Sequence, residues 1–509
     1  MKKLFEISGA TTKIDSMVDF FIQKINRTPL FIILFFVLVG NFLTFIPDGN
    51  EENYLQLSKQ FINPHWIEHS FSLTEFAGTR LLYQYICGFL LQYISFELLT
   101  FLGKFGIIIW YAATLARLFK KIQLTPIFSL FLLQGLFFFK QSAFGGENIF
   151  LGFEPKHFAY CFILCALNTF LGKKYLPATL FVVVASWFHI LVGAWFFVAY
   201  ILYLLVTKEV VFKYIVLYCF VYGMLLLPFA LFLANEIILH STGLVHAVSA
   251  DWIYSVFRNP HHTAIFSSLD YFYDNHAIGV LWSMIIGICT LIIFPKYVPV
   301  ELKRINTFVA VISCLLFLNV CISFFDRGGH FVKYYPFRLA SVQLFLFYVL
   351  LMTFIKEYFS KQQLIGSVAF VITVLFFTLY SALNVFKMVR FVSHGNSAFY
   401  EMTAYIKAHT ANDAVIYYSE KAENFTLSFT REAQRDRFII YKFVPAGTNK
   451  IYDWYERIQA QTKIDQNPSL IFEVKKKFKI DYVLTTDSIG VAGFIPIKKI
   501  DDYRLYAFE

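Results

Sequence analysis

Three carboxylates follow the first long apolar run of the chain, in the stretch FIPDGNEENYLQLSKQF. Asp48, Glu51 and Glu52 would lie just outside a membrane, where a carboxylate can act as a general base towards an acceptor hydroxyl. The same side chains could instead stabilise the N-terminus of the following helix through its dipole. The residue types leave both roles open.

Most of the other unusual ionisable residues are predicted on the same side of the membrane. They are Arg80, Glu147, Glu154, Lys156, His157, His189, Arg258, His261, His262, Asp270, Asp274, Asp326, Arg327, His330, Lys333 and Arg338. Clusters of Arg, Lys and His can hold a phosphate and stabilise the charge that develops on a leaving group. Ion transporters usually place ionisable groups near mid-membrane, and the apolar runs here are almost free of them. The pattern favours a surface reaction site for an amphiphilic donor with a lipid tail and a phosphate-linked head.

Several of these residues also have simpler interpretations. His261 and His262 would form an exposed pair in a loop, and two adjacent histidines do not define a metal site. His189 could be a satisfied histidine at a helix end, and Asp326 with Arg327 a local ion pair. Arg338, which opens an apolar helix, could extend along the helix to the membrane surface.

The composition indicates the class of protein that must position these residues. The chain has 509 residues, of which 58% are hydrophobic and 15% charged, whereas soluble domains carry about 25% charged residues. Several runs approach the roughly 20 apolar residues that cross a bilayer. We predict a polytopic α-helical membrane protein. The net charge of +10 then indicates how the chain is oriented in the membrane. It does not indicate nucleic-acid binding, because no cluster of basic residues is interleaved with aromatic ones.

The charges in the loops predict the topology. Apolar runs occur at 30–46, 80–96, 98–118, 124–141, 157–171, 176–190, 193–207, 214–234, 277–294, 305–325, 338–355 and 363–385. If the run at 80–96 does not cross, every short inner loop becomes basic, as the positive-inside rule requires. We therefore predict eleven crossings in a cytoplasmic (inner) membrane. Residues 1–29 form a cytoplasmic tail, residues 30–390 the transmembrane domain and residues 47–97 an outer loop.

The composition changes after Arg390, where charges of both signs mix with alternating apolar residues. AFYEMTAYIKAH and KIYDWYERIQAQ are predicted helices, while AVIYY, RFIIYKF, DYVLTTD and YRLYAF are predicted strands. Residues 395–509 are therefore expected to form a small α/β domain on the periplasmic side. The seven cysteines all fall in apolar segments without a CxxC pair, so buried free thiols are expected rather than disulfides or structural zinc.

The order of these features resembles the GT-C class of integral-membrane glycosyltransferases and their poorly characterised bacterial polytopic members. In that class the first outer loop carries an acidic residue followed by an aromatic at a helix start, which Glu51-Glu52-Asn53-Tyr54 matches. The segment from Phe153 to Phe197 is similar in carrying a charged residue before one helix, Lys156, and a His-x-x-x-Gly at the end of a later one, His189 to Gly193. The stretches RDRFIIYKFVPAGTNKIYDWYERI and KKFKIDYVLTT resemble the tail domains of the same proteins.

The resemblance implies transfer of a sugar or oligosaccharide from a polyprenyl-phosphate or -diphosphate donor to a protein or glycan acceptor outside the cytoplasm. Glu51 would deprotonate the acceptor, with Glu52 and Asp48 as rivals. The residues expected to bind the donor phosphate are Arg80, Lys156, His157, His189, Arg327, His330, Lys333 and Arg338. Those expected to contact the acceptor or sugar are His261, His262, Asp270 and Asp274.

Neither a cofactor nor a metal is required by the sequence, although a divalent metal is compatible with the resemblance. Membrane lipids are expected partners and nucleic acid is not. Two alternatives remain open. One is a polymerase or ligase of surface polysaccharide, and the other is a non-enzymatic transporter or scaffold.

Overall fold

The computed structural model describes residues 20, 22–73, 78–150, 152–239, 247–359, 379, 383, 397–418, 428–445, 448–486 and 493–509. The predicted crossing at 363–385 therefore lies almost entirely outside the described residues. The longer helices between residues 30 and 359 are α1 Leu30–Phe42, α2 Asn50–Ile62, α3 Leu81–Leu90, α4 Phe96–Lys121, α5 Pro126–Phe138, α6 Pro155–Leu171, α7 Tyr175–Phe188, α8 Ile190–Thr207, α9 Phe212–Leu239, α10 Leu269–Asn275, α11 Ala277–Ile288, α12 Lys303–Phe325 and α13 Leu339–Phe359. Short π-helical turns occupy Ile253–Arg258 and Cys289–Ile293.

Among the described residues, six helical segments are long and apolar enough to cross a membrane. They are Phe96–Lys121, Ile190–Thr207, Phe212–Asn235, Ala277–Lys296, Lys303–Phe325 and Leu339–Lys356. Four shorter apolar helices, α1, α3, α5 and α7, accompany them. The chain is thus a polytopic helical protein of the kind that composition predicts. The count of eleven crossings stays a prediction.

The basic loop residues gather at one end of the helical bundle. Lys121, at the end of α4, donates to the carbonyl of Asn168 near the end of α6. Arg304, at the start of α12, forms an ion pair of 2.9 Å with Glu209 and donates to Leu171. Lys156 stands at the other end of α6, which is about 25 Å long at 1.5 Å per residue. The predicted inner loops therefore lie together, far from Lys156.

The segment at 80–96 is short and keeps to the end of the bundle that carries Lys156. Helix α3 has 10 residues, which span only about 15 Å of a hydrocarbon core about 30 Å thick. Arg80 lines the same cavity as Lys156, and Glu97 pairs with Arg431 of the C-terminal domain. The segment thus begins and ends at one end of the bundle, and its failure to cross the membrane stays a prediction.

The C-terminal domain is a five-stranded sheet with helices on both faces. Its elements are α14 Ser397–His409, β1 Val415–Tyr418, α15 Phe429–Ala433, β2 Asp436–Arg437, α16 Thr448–Gln466, α17 Ile471–Lys477, β3 Tyr482–Thr485, β4 Phe494–Ile500 and β5 Tyr503–Phe508. The strand order is β2-β1-β3-β5-β4, with β1 parallel to β2 and β3, and β5 antiparallel to β3 and β4. Ile416 and Tyr418 pack in a cluster with α14, while Val415 and Tyr417 pack with α16. Strand β1 is apolar throughout because both of its faces are covered.

The predicted strand RFIIYKF is wrong for all but its first residue, since β2 ends at Arg437. The carbonyl oxygens that follow accept hydrogen bonds from side chains rather than from a neighbouring strand. Arg457 donates to Phe438 at 3.0 Å, Trp454 to Ile440 at 3.2 Å and Arg258 to Tyr441 at 2.7 Å. Arg457 and Trp454 belong to α16, whereas Arg258 belongs to the helical bundle, so the segment packs on its own domain and also contacts the bundle. Strand β4, which the sequence pattern did not predict, completes the sheet.

Two clusters join the C-terminal domain to the bundle. Ile440 and Phe443 pack against Leu57, Ile67 and Leu73. A second cluster contains Phe257, whose ring lies 4.9 Å from that of Tyr455 and 6.2 Å from that of Trp454. These apolar contacts hold the domain on the helix ends that surround the candidate site.

All seven cysteines are free, as predicted, but they are not all buried. Cys87 and Cys161 are buried, whereas Cys219, Cys314 and Cys321 are exposed on the outside of the helices. The expectation of buried thiols is wrong for these three, because an apolar helix in a membrane presents part of its surface to lipid.

Candidate functional site

A polar cavity of about 270 Å³ lies between the helix ends and the C-terminal domain. Helix α2 contributes its first two turns, α6 its start, and α13 the residue immediately before it. The lining side chains include Asn50, Asn53, Tyr54, Arg80, Glu147, Lys156, His189, Tyr254, Arg258, Asn259, His261, His262, Tyr335, Arg338 and Lys442. Within the described part of the chain, five cations and one carboxylate face this space. The cavity is therefore suited to an anion.

Glu147 is the carboxylate of the cavity, and it organises the cations around it. Its side chain is buried and forms an ion pair with Arg338, while Lys156 lies 4.0 Å away. Lys156 also pairs with Glu154 at 3.5 Å. Burial opposes ionisation, but the charges of Arg338 and Lys156 outweigh it and lower the pKa of Glu147 to about 2. Glu147 is consequently ionised at neutral pH.

The backbone before Glu147 allows this arrangement. Gly145 and Gly146 have φ angles of +74° and +62°, which residues with side chains rarely adopt. A Cβ on Gly145 would lie 2.9 Å from the Cβ of Phe337, and one on Gly146 would lie 3.2 Å from the ring of His262. The two glycines let the loop between α5 and α6 approach both α13 and the segment that carries His262.

His262 is oriented by this same loop. Its Nδ1 lies 2.8 Å from the carbonyl of Gly145 and 3.6 Å from Oε1 of Glu147. Since a carbonyl can only accept, the proton of a neutral ring belongs on Nδ1, and Nε2 keeps its lone pair. Burial lowers the pKa of His262 to about 4, although Glu147 acts in the opposite direction. His262 is therefore neutral at pH 7 and can accept a proton or a hydrogen bond through Nε2.

Several buried lining groups have no hydrogen-bond partner among the described residues. They include Nδ1 of His189, at the junction of α7 and α8, and Oδ1 of Asn53 on α2. Both residues are less than a tenth exposed. Because buried polar groups are almost always paired, these two atoms indicate a polar ligand or water in the cavity.

The junction at His189 explains the spacing to Gly193. The carbonyl of His189 accepts from the N–H groups of Val192 and Gly193, both at 3.1 Å, which begins α8. A Cβ on Gly193 would lie 2.0 Å from Oγ of Ser186. Gly193 thus allows α7 and α8 to pack closely behind the histidine, and this packing fixes where His189 meets the cavity.

Glu51, the base predicted from the sequence, does not line the cavity. Its buried carboxylate pairs with Lys104 at 2.9 Å and accepts from the N–H groups of Phe153 at 2.7 Å and Asp48 at 3.1 Å. Burial raises the pKa of Glu51, against the opposing effect of Lys104. The side chain joins α2 to α4 and to the loop before α6.

The two rival carboxylates also lie outside the cavity. Glu52 is buried and accepts from Arg431 at 2.8 Å and from Gln56 at 2.7 Å, so it ties α2 to the C-terminal domain. Asp48 is exposed. Successive residues of a helix point about 100° apart, and the cavity face of α2 carries Asn50, Asn53 and Tyr54 instead.

The predicted phosphate-binding residues divide between the cavity and other places. Arg80, Lys156, His189 and Arg338 line the cavity, whereas His157 is buried nearby and accepts from the N–H of Gly152 at 3.4 Å. His330 and Lys333 pair with Asp251 at 2.9 and 2.8 Å, and Arg327 donates to the carbonyl of Phe266 at 3.0 Å. These last three residues form a separate surface cluster.

The predicted acceptor residues divide in the same way. His261 and His262 line the cavity, whereas Asp270 and Asp274 are exposed on α10. Other lining residues were absent from the predicted site: Asn50, Asn53, Tyr54, Glu147, Tyr254, Arg258, Asn259, Tyr335 and Lys442. The glycine pair before Glu147 could have drawn attention to that residue. Lys442 gave no such signal, because it sits in an ordinary α/β pattern.

The described residues include no group of three or more His, Cys, Asp or Glu side chains placed to hold a metal ion. Glu147 forms an ion pair with Arg338, so the charge of this cavity-lining carboxylate is already neutralised by a cation.

The fold and site together define a polytopic helical protein with a cation-lined cavity beneath a small α/β domain. A family model described as "Domain of unknown function (DUF6798)" matches residues 397–461, which run from α14 into α16. No curated protein matches the chain. The match covers part of the C-terminal domain and contains Lys442 of the cavity and Arg431 of the interface.

Proposed function

We propose that the protein is a membrane glycosyltransferase that moves a sugar or oligosaccharide from a polyprenyl-phosphate or -diphosphate donor to an extracytoplasmic protein or glycan. The observation that supports this function most is the cavity, where five cations and one carboxylate of the described residues lie next to apolar helices. Such a position suits a ligand whose anionic head is buried while its lipid tail stays in the bilayer. The GT-C resemblance supplies the reaction.

In the proposed reaction the acceptor oxygen bonds to the anomeric carbon of the sugar. The bond between that carbon and the phosphate oxygen breaks, and the lipid phosphate leaves with the electron pair. Arg338 and Lys156 would stabilise the charge on the leaving phosphate, since both side chains are buried and directed at the same space. Tyr54 and Asn53 are placed to contact the sugar.

The acceptor proton needs a base within reach of the cavity. We assign this role to Nε2 of His262, because Gly145 fixes the proton of the neutral ring on Nδ1. A bound phosphate would raise the low pKa of His262, since a nearby anion favours the protonated ring. Glu147 is a weaker candidate because its pKa of about 2 leaves little affinity for a proton. Glu51 could act only with its ion pair to Lys104 opened.

The test is deletion of the gene followed by staining of glycans on whole-cell proteins and on surface polysaccharide. The wild-type gene should restore any lost band, whereas His262→Gln and Arg80→Gln should not. The matched controls are His330→Gln and Arg327→Gln, which change the same residue types in the separate surface cluster. Membrane insertion and monodispersity of each variant are checked in detergent. Unchanged profiles in both fractions after deletion would contradict the proposal.

The same experiment separates the alternatives. Loss of glycan from proteins indicates a protein glycosyltransferase, and loss of polysaccharide alone indicates a polymerase or ligase that uses the same kind of donor. A transporter or scaffold whose cavity plays no part in glycan transfer predicts that the cavity variants restore every band.

The proposed orientation places the N-terminus in the cytoplasm and the cavity with the C-terminal domain in the periplasm. It is supported by the basic loop residues at the opposite end of the bundle, among them Lys121 and Arg304. A cysteine introduced at the exposed Lys120 should react only with membrane-permeant maleimides. Labelling of this cysteine by an impermeant reagent in intact cells would show that the protein has the opposite orientation.

A further inference from the structure

Four of the five cations that line the cavity in the described part of the chain form two groups that differ in their partners. Arg338 and Lys156 have the carboxylates of Glu147 and Glu154 within 4.0 Å. Arg258 and Lys442 also line the cavity, but no carboxylate in the described part of the chain pairs with either of them at that distance. As far as the structure describes the chain, the second group therefore brings positive charge without a carboxylate within 4.0 Å.

Arg258 and Lys442 are held next to each other by the interface between the domains. The Nε of Arg258 donates to the carbonyl of Tyr441 at 2.7 Å, and its guanidinium lies 4.5 Å from the centre of the Tyr441 ring. Lys442 is the next residue, and its Nζ lies 4.0 Å from the position that a Cβ on Gly49 would take. The pair is thus positioned at the N-terminal end of α2, where the helix dipole adds further positive potential.

Burying two neighbouring cations, even in part, costs free energy when no anion lies beside them. Burial lowers the pKa of Lys442, and the charges of Arg258 and Lys156 act in the same direction against Glu154 and Asp48. A ligand with negative charge at this position would remove the cost. Because the two side chains are partly buried, water screens their charges less than it would at an exposed surface.

The charges of the two cation pairs set the ligand charge that fits them. Arg338, Lys156, Arg258 and Lys442 face the carboxylates of Glu147 and of Glu154, which pairs with Lys156 from behind, and two positive charges remain among these described residues. A phosphodiester between lipid and sugar carries a single negative charge, whereas a diphosphate in the same linkage carries two. The two negative charges of a diphosphate match the positive charge of the site better. Its two phosphate groups also need two binding positions.

We propose that the cavity binds a lipid-linked diphosphate rather than a monophosphate, with one phosphate at Arg338 and Lys156 and the other at Arg258 and Lys442. This inference rests on the proposed function and narrows its donor class. It also assigns a role to the C-terminal domain, which supplies Lys442 and the carbonyl that orients Arg258. The domain would complete the donor site rather than only cover it.

Binding of short prenyl probes to the purified full-length protein tests the proposal without an activity assay. Farnesyl phosphate, farnesyl diphosphate and inorganic pyrophosphate are titrated by thermophoresis at fixed ionic strength. Charged hydrogen bonds typically change affinity by about tenfold or more. We therefore expect farnesyl diphosphate to bind at least about tenfold more tightly than farnesyl phosphate. Lys442→Gln and Arg258→Gln should remove about that factor for the diphosphate and less than about twofold for the monophosphate.

Two control variants show whether the effect is local. Lys442→Arg keeps the charge and should retain most of the affinity for the diphosphate. Lys333→Gln removes a cation that pairs with Asp251 outside the cavity and should leave all affinities unchanged. A thermal melt of each variant excludes unfolding as the cause of weaker binding.

The outcomes separate this inference from the proposed function. Equal affinities for the two farnesyl probes, or equal losses for both in Lys442→Gln, overturn the diphosphate proposal and leave a phosphate site. Absence of binding for both probes overturns the proposed donor class itself. Pyrophosphate that binds as tightly as farnesyl diphosphate supports the two phosphate positions but contradicts a lipid-linked donor.

Discussion

Glu147 and Arg338 form a buried ion pair that joins the loop between α5 and α6 to the start of α13. Each side chain also faces the cavity, so the pair places a cation there while the Glu147 carboxylate neutralises part of the charge of Arg338. Arg338 is further packed against the ring of Tyr335, whose centre lies 4.4 Å from the guanidinium carbon. The pair therefore links the stability of the helix ends to the electrostatics of the cavity.

Removing one partner of this pair should be more costly than removing both. Arg338→Gln leaves the Glu147 carboxylate buried with less compensation, for which we expect a loss of about 3–5 kcal/mol in the free energy of unfolding. The double variant Glu147→Gln/Arg338→Gln should recover part of that loss. Denaturant unfolding in detergent provides the measurement. A double variant that loses the sum of both single effects would show that the two side chains are not coupled.

Glu51 provides a test that separates a structural role from a catalytic one. Glu51→Gln should destabilise the protein by a similar amount, about 3–5 kcal/mol, because it leaves Lys104 buried without its anion. Adding Lys104→Met to Glu51→Gln should restore much of the stability. Glycan transfer is then measured for both variants. Transfer that returns together with stability contradicts Glu51 as the base, whereas transfer that stays absent in the stable double variant supports that role.

The close packing of α7 on α8 can be probed with two glycines in different surroundings. In Gly193→Ala the new Cβ would meet Ser186 at 2.0 Å, so we expect a loss of about 1–3 kcal/mol and weaker ligand binding through displaced His189. Gly106→Ala, in α4, meets nothing within 4 Å and should be neutral or stabilising by up to about 1 kcal/mol. Thermal midpoints compare the two. Equal destabilisation would contradict the close contact.

Asp436 should make the stability of the C-terminal domain depend on pH. Its buried carboxyl accepts from Ser70 at 2.6 Å and from the N–H of Phe71 at 2.9 Å. Burial outweighs these bonds and raises the pKa of Asp436 from 3.8 to about 6. At pH values between 3.8 and about 6, the folded state therefore keeps a proton on Asp436 that the unfolded state has released. The stabilisation that comes from this protonated carboxyl is therefore complete below about pH 4 and is lost as the pH rises through about 6. The free energy of unfolding should fall by up to about 3 kcal/mol over this range.

The measurement is the unfolding midpoint from pH 4 to pH 7.5 for the wild type and for Asp436→Asn. The variant should lack the decline over this range, because an amide does not ionise. Asp270→Asn, at an exposed position on α10, serves as the control and should follow the wild type. A wild-type curve parallel to that of Asp436→Asn would show that the Asp436 pKa is not raised.

The sequence by itself determined the class of this protein and the broad position of its site. Apolar runs long enough for a bilayer and basic loops fix a helical bundle with two distinct ends, because charges are excluded from hydrocarbon. The same reasoning placed Lys156, His189, His262 and Arg338 on one side, and the structure brings these four into one cavity. Helices α14 and α16 and strands β1, β3 and β5 of the C-terminal domain also follow from periodicity alone.

Only the tertiary structure decided which of the ionisable residues meet. Glu51 and Glu52 are adjacent in sequence, yet the helix turns one towards Lys104 and the other towards Arg431. Glu147 and Lys442 reach the cavity from distant segments, through a glycine loop and a domain interface that no local pattern specifies. Local periodicity determines which face of an element is buried. The packing of whole elements against one another determines which charges share a buried space.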